Sequence, residues 1–279
     1  MQVIGLCRFS YVGYGGYKIT HESLEERRAF LYAPERLEER FRLFETVCLP
    51  SVLGQTDQDF QLHVVIGECF PERYQERLLE LTEDLPNVAI SLQPPERHRR
   101  QMIRVLNAAR EDPSEPCIQF RLDDDDAMAV DFIARLKQAA KDLKPIWQGY
   151  PLTTIDFNRG YIYRATAQGL QIAPDREICL ALALGVIVPG GSDRTIMHQG
   201  HHLLWQESPT LTFPDQDMYL RGYNGFNDSR SKGRGKKVPL MPMSENEAEH
   251  IRQRFNVDTK KVARAFSAPG LLPLPIERE

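Results

Sequence analysis

The chain has 279 residues, 42% of them hydrophobic and 27% charged, with a formal net charge of −4. That length holds one large domain or two small ones around a packed core, and so mild a charge gives no global argument for a nucleic-acid partner. The five cysteines, Cys7, Cys48, Cys69, Cys117 and Cys179, stand far apart with no Cys-x-x-Cys pair, which fits free, mostly buried thiols in a reducing compartment better than a disulfide framework or a zinc site.

The first half alternates short apolar strands with amphipathic helices. Gln2 to Phe9 is the first predicted strand, and a glycine-bearing loop with Gly13, Gly15 and Gly16 follows it. Leu37, Phe41, Phe44 and Cys48 then stripe one helix face, with Pro50 marking an end nearby. Phe60 to Ile66 is a second, buried strand. Tyr74, Leu78, Leu81 and Leu85 stripe the next helix, which Pro86 stops. Val88 to Leu92 is a third strand, Arg97 to Arg110 a strongly basic helix, and Cys117 to Leu122 a fourth strand. Ile133, Leu136, Ala140 and Leu143 line the helix after it. Apolar strands alternating with helices imply a parallel sheet covered on both faces, whose ligands bind beyond the carboxyl ends of the strands.

Beyond Pro145 the pattern loosens. Trp147 to Phe157 and Tyr161 to Arg164 read as antiparallel strands around the turn Asn158-Arg159-Gly160, and Ala181 to Val188 as a further strand stopped by Pro189. Lys232 to Lys237 reads as a mobile basic segment. Ser244 and Glu247 form a capping box that opens a helix towards Phe255, and the tail after Pro269 is expected to be poorly ordered. No stretch is long and apolar enough to span a bilayer, so the expected location is cytoplasmic.

Four consecutive aspartates, Asp123 to Asp126, close the fourth strand. Unpaired carboxylates so close together repel one another and gain nothing from burial, so a cation is expected among them. A hard divalent ion held by oxygens, Mg²⁺ or Mn²⁺, is the natural candidate. The alternative is a solvated acidic turn with Asp126 as the N-cap of the next helix. Placement at the carboxyl edge of the sheet favours the ion.

The segments Arg42-Leu43-Phe44-Glu45-Thr46-Val47-Cys48-Leu49-Pro50-Ser51-Val52, then Gln55-Thr56, then Phe60, then Arg121-Leu122-Asp123-Asp124-Asp125-Asp126-Ala127 stand in a characteristic order. In that order and spacing the chain resembles the nucleotide-sugar glycosyltransferases of the GT-A fold and, more narrowly, the bacterial rhamnosyltransferase family. The likeness is good over residues 1–145 and weak beyond. It implies an α/β fold, a GT-A type, Rossmann-like mixed sheet with helices on both faces, the nucleotide and metal lying at the C-terminal edge of the strands. On that basis residues 1–145 form the nucleotide-sugar half, 146–243 the acceptor-binding and catalytic half of the same domain, and 244–279 a helical extension and tail.

The resemblance further implies inverting transfer of a sugar, rhamnose among the candidates, from a dTDP-, UDP- or GDP-sugar to a glycan or polysaccharide acceptor. Mn²⁺ or Mg²⁺ would bridge the pyrophosphate and the D-x-D carboxylates. Its register makes Asp123 and Asp125 the pair, with Asp124 beside the nucleotide and Asp126 following on the metal; Asp124 with Asp126 is the competing register. Arg8 and Phe9 are candidates for base or ribose contact. Glu68 stands where related enzymes hold the nucleobase, the alternative being a solvent-facing loop acid. Arg100 or Arg104 would face the diphosphate, although such a run is more often a solvated helix face. Among His198, His201 and His202, His198 is the candidate third metal ligand. Asp217, with Asp215 as helix cap or its alternative, is placed at a helix start as general base. Asn224 and Asn227 resemble the family's C-terminal signature, and Lys232 to Lys237 a lid. Two other readings stay open: a Mg²⁺-dependent nucleotidyltransferase using the loose phosphate loop of Gly13, Gly15, Gly16 and Lys18, and a non-catalytic Ca²⁺- or carbohydrate-binding module.

Overall fold

The structure, a computed structural model, describes residues 1–15, 21–224 and 239–267. Gly16, Lys18, Asn227, the Lys232 to Lys237 segment and the tail after Pro269 lie outside the described residues. In chain order, β1 (Gln2–Arg8) leads to α1 (Leu24–Leu31) and α2 (Pro34–Leu43), and a π-helical turn (Phe44–Cys48) joins α2 to α3 (Leu49–Leu53). Then β2 (Gln61–Gly67), α4 (Glu72–Thr82), β3 (Val88–Gln93), α5 (His98–Ala108) and β4 (Cys117–Arg121) alternate as expected. After the aspartates come β5 (Ala127–Met128), α6 (Phe132–Asp142), α7 (Lys144–Trp147), β6 (Thr153–Phe157), β7 (Arg159–Thr166), β8 (Gly169–Arg176) and β9 (Leu184–Val188). The chain continues through α8 (Leu204–Glu207), β10 (Thr210–Phe213), β11 (Tyr219–Gly222), β12 (Met241–Pro242), α9 (Glu245–Phe255) and α10 (Thr259–Phe266).

Seven strands form one sheet in the order β10-β6-β9-β4-β1-β2-β3, with β9 antiparallel to both its neighbours and the other pairings parallel. Strands β6, β9 and β10 come from the second half of the chain, so both halves build this sheet. Alternate residues bury opposite faces. Val3, Cys7, Ile118, Phe120 and Leu122 pack under α2, α4 and α6, whereas Ile4, Leu6, Val65 and Cys117 pack against Met102, Val105 and Leu106 of α5. This is the expected mixed sheet with helices on both faces. Among the described residues no helix is long and apolar enough to cross a membrane. The five cysteines are free thiols, and all but Cys69 are buried.

The second half departs from expectation. Trp147 ends the short helix α7, and the strand begins only at Thr153. Strand β7 does not pair with β6. It belongs to a second, five-stranded sheet, β12-β8-β7-β11-β5, where it is antiparallel to β8 and parallel to β11. Asn158 to Gly160 is therefore a crossing between sheets, and the hairpin turn lies at Gly169, whose φ of 108° needs glycine. Nor does Asp126 cap the following helix: α6 starts at Phe132, with Asp131 at its N-cap position. The helix through Cys48 also runs past Pro50 to Leu53, because Pro50 falls in the first turn of α3, where a missing N–H costs nothing.

Candidate active site

The acidic run leaves β4 at the carboxyl edge of the parallel sheet, next to the end of β1. Strand alternation sorts its first members. Gln119 and Arg121 share the α5 side with Cys117, so Asp123 continues on that side, while Asp124 follows Phe120 and Leu122 towards α2. There Asp124 is fully buried and receives Arg40 Nε at 2.7 Å, with a second, close ion pair from the same guanidinium. Arg40 also reaches Asp125, its NH1 lying 3.1 Å from Oδ2. The Asp125 carbonyl accepts from the buried Tyr163 hydroxyl. Behind this clamp, Glu39 of α2 is buried, and its Oε1 has no hydrogen-bond partner among the described residues. Burial pushes its carboxyl up to about 7, Asp125 adding to the rise and Arg40, Arg42 and Arg36 opposing it.

On the other side of the run the surroundings are basic and looser. Arg121 has a side chain 19% exposed and lies 3.7 Å from the Asp123 carboxylate. Burial, then crowding by Arg8 and Arg99, pushes the guanidinium's pKa down against the pull of Asp123 and Asp126. Arg8 ends β1 and lies 3.3 Å from His98 Nε2. Burial, followed by Arg8, Arg121 and Arg99, holds that imidazole neutral, so Nε2 accepts from Arg8. Burial alone would raise Asp123, but Arg121, Arg8 and Arg40 outweigh it and hold its carboxyl below the usual carboxylate range. His201 sits close by with Nδ1 2.6 Å from the Cys179 carbonyl, and burial holds its pKa down to about 4.

Asp126 closes the site against β11. Its Oδ1 accepts from the Gly222 N–H at 2.8 Å. Burial, then the charges of Asp125 and Asp123, push its carboxyl well above the usual range, with Gly222 and Arg221 opposing. Gly222 is required by close approach: a Cβ there would lie 2.8 Å from the Asp125 carbonyl oxygen.

Several expected site residues stand elsewhere. Phe9 is wholly buried against Phe41, Phe44 and Phe70, ring centroids 4.9, 5.3 and 6.0 Å away, and is a core residue rather than a base contact. Glu68 is exposed just past the end of β2. Arg100 and Arg104 point along α5 towards Glu96, at 3.9 and 3.7 Å. His198 takes the Thr195 N–H at 2.9 Å in its own loop, and His201 is the histidine beside Asp123. Asp215 and Asp217 do not begin a helix but lie in the connection between β10 and β11. Asp215 is held by Arg135 through both oxygens at 2.8 Å. Asp217 is buried and bound by Arg159 at 2.6 Å, His250 at 3.0 Å and Tyr161 at 3.2 Å. Strand β11 separates it from Gly222, and five residues of extended chain are roughly 16 Å. Asn224 accepts from the Ala165 N–H at 3.4 Å, beside Gly222.

As placed, the carboxylates do not form a metal cage. Among the described residues no group of three or more His, Cys, Asp or Glu side chains is arranged to hold an ion. Arg40 occupies Asp124 and Asp125, and Asp123 faces arginines. Sequence reasoning missed Arg40 and Arg121, and among the histidines it favoured His198 over His201. The parity of β4 was the signal for Arg121, since it sends one aspartate inward and the next outward, whereas Arg40 comes from the distant helix α2.

The sequence profile of a family described as "Putative rhamnosyl transferase" matches residues 2–236. No curated protein matches the chain. Among solved structures it is similar to TarS of S. aureus, with 11% identity, a TM-score of 0.41, and coverage of 81% of this chain and 37% of that one. TarS 1–349 in complex with UDP-GlcNAc gives 12% identity and a TM-score of 0.40, over 80% of this chain and 59% of that one. The chain thus spans less than two thirds of these TarS chains. A putative nucleotide-diphospho-sugar transferase from Desulfovibrio desulfuricans gives 11% identity and a TM-score of 0.41, with 94% of each chain covered.

Proposed function

We propose, from the premise that the chain belongs to the Putative rhamnosyl transferase family, that it is a glycosyltransferase acting on a nucleoside diphosphate sugar, with a glycan or polysaccharide hydroxyl as acceptor. Rhamnose carried on dTDP is the donor sugar that the family name favours. The observation that carries the reading is the profile match over residues 2–236, a span that includes the whole edge cluster of Arg8, Arg121, Asp123, Asp126 and His201.

In the proposed transfer the acceptor oxygen attacks the anomeric carbon, and the bond from that carbon to the diphosphate oxygen breaks. Its electron pair leaves on the nucleoside diphosphate. The acceptor proton passes to a carboxylate, and Asp126 suits that task better than Asp217. It lies in the cluster, Gly222 fixes it, and burial beside Asp125 and Asp123 raises its proton affinity. Dependence on Mn²⁺ or Mg²⁺ is read in the same assay as the transfer.

The test is to incubate the protein with dTDP-, UDP- and GDP-sugars and glycan acceptors, each with and without Mn²⁺, and to measure free nucleoside diphosphate. Thermal melts with UDP, GDP and dTDP accompany it. At a hundredfold excess over Kd, a bound nucleotide stabilises the fold by about 2.7 kcal/mol. Nucleotide release with at least one donor and a matching melt shift are expected. Neither effect with any nucleotide would remove the proposal.

A further inference from the structure

A donor diphosphate would add negative charge to an edge that already carries Asp123 to Asp126, so the cations that receive it decide whether it binds at all. Arg40 is committed to Asp124 and Asp125. The cations on the opposite, α5 side of the run are Arg121, Arg8 and Arg99. Arg121 is the least committed of these. Its guanidinium has five N–H donors, and among the described residues it faces one carboxylate, at 3.7 Å, beyond hydrogen-bond distance. Arg8 reaches the same space from the end of β1, and its neighbour His98 is neutral and so adds no repulsion between cations.

Planar guanidinium forks match phosphate oxygens two at a time, and a partly desolvated guanidinium attracts an anion more strongly than an exposed one. Asp123 then acts as the resident counter-ion of this arginine pair, which a phosphate can replace. We propose that Arg121, with Arg8 beside it, receives the donor's diphosphate directly, and that nucleotide capture by this chain needs no divalent cation. The inference rests on the glycosyltransferase reading above and deepens it, because it names the charged groups that hold the leaving group.

The test is titration calorimetry on the full chain with UDP, GDP and dTDP, in EDTA and in Mn²⁺. The expected result is a Kd in EDTA within about threefold of that in Mn²⁺, and a loss of about tenfold or more in EDTA for Arg121→Gln, the size of effect a charge-assisted fork carries. Arg121→Lys keeps the charge without the fork and should fall between the two, which preserves the test if Arg121→Gln does not fold. Binding that appears only with Mn²⁺ overturns the inference and leaves the transferase reading standing. Parent-like affinity in both variants overturns it as well. No binding of any nucleotide under either condition removes both.

Discussion

Asp123 and Asp124 are adjacent and identical, yet the fold treats them as different kinds of residue. Asp124 points under α2, has no exposed surface and is locked by Arg40. Asp123 points to the α5 side, with a side chain 22% exposed and, among the described residues, one loose ion pair, to Arg121. A buried ion pair is costly to break and adds little when intact, whereas a part-exposed pair is cheap to exchange for a ligand. One step along a strand therefore separates a carboxylate that holds the edge together from one that can give up its partner.

The largest effect should come from the locked side. Asp124→Asn removes the closer of the two carboxylates that clamp the buried Arg40 guanidinium, and removal of one member of such a pair costs about 3 kcal/mol or more. Urea unfolding measures this directly. A loss below about 1 kcal/mol, the value of a surface pair, would show that the two aspartates are equivalent after all.

Glu39 sharpens the same contrast through pH. Its folded pKa, raised from 4.5 to about 7, means that its contribution to stability is full below pH 4.5 and is lost as pH rises through 7. Glu39→Gln cannot ionise, so it should match the parent near pH 4.5 and exceed it at pH 8 by about 2 to 3 kcal/mol, from the 1.36 kcal/mol per unit of linkage. Equal stability of parent and variant at pH 8 would mean that the carboxyl ionises there without cost.

These effects bear on how much of the molecule was readable in the residues. The alternating half was legible because each strand and helix stripe is a local period of two or 3.6 residues. The second sheet was not, since β11 is matched to β7 and to the acidic run by distant backbone approaches such as Gly160 against Tyr219 and Gly222 against Asp125. The acidic run was legible as a charge problem, but its solution was not. Arg40, which answers Asp124 and Asp125, lies 84 residues upstream of Asp124, and no local pattern announces it. His201 is fixed by the Cys179 carbonyl, a loop contact that no spacing rule encodes.

The two ends of β11 offer a smaller version of the comparison. Asp126 meets the Gly222 end inside the charged cluster, while Asp217 sits at the other end, tied to Arg159, Tyr161 and His250. Asp217→Asn should destabilise the chain by about 1 to 2 kcal/mol, because its arginine partner is over a third exposed and part of the pair's value is screened. Nucleotide affinity and turnover should remain within about twofold of the parent, an energy of about 0.4 kcal/mol. A hundredfold loss of turnover at unchanged stability would return the base to Asp217.

The smallest change in stability, and the sharpest in sign, belongs to Asp123→Asn. The pair it breaks is long and part-exposed, so unfolding free energy should move by less than about 1 kcal/mol. Nucleotide binding in EDTA is the decisive measurement. If Asp123 is a resident anion competing with the diphosphate for Arg121, its neutral replacement should bind nucleoside diphosphate as tightly as the parent or several-fold more tightly, the gain falling as salt screens the charges. If Asp123 instead holds the nucleotide, through an ion or through the ribose, the same change should weaken binding tenfold or more, by about 1.4 kcal/mol. The two roles of one carboxylate thus predict opposite signs, and a single titration separates them.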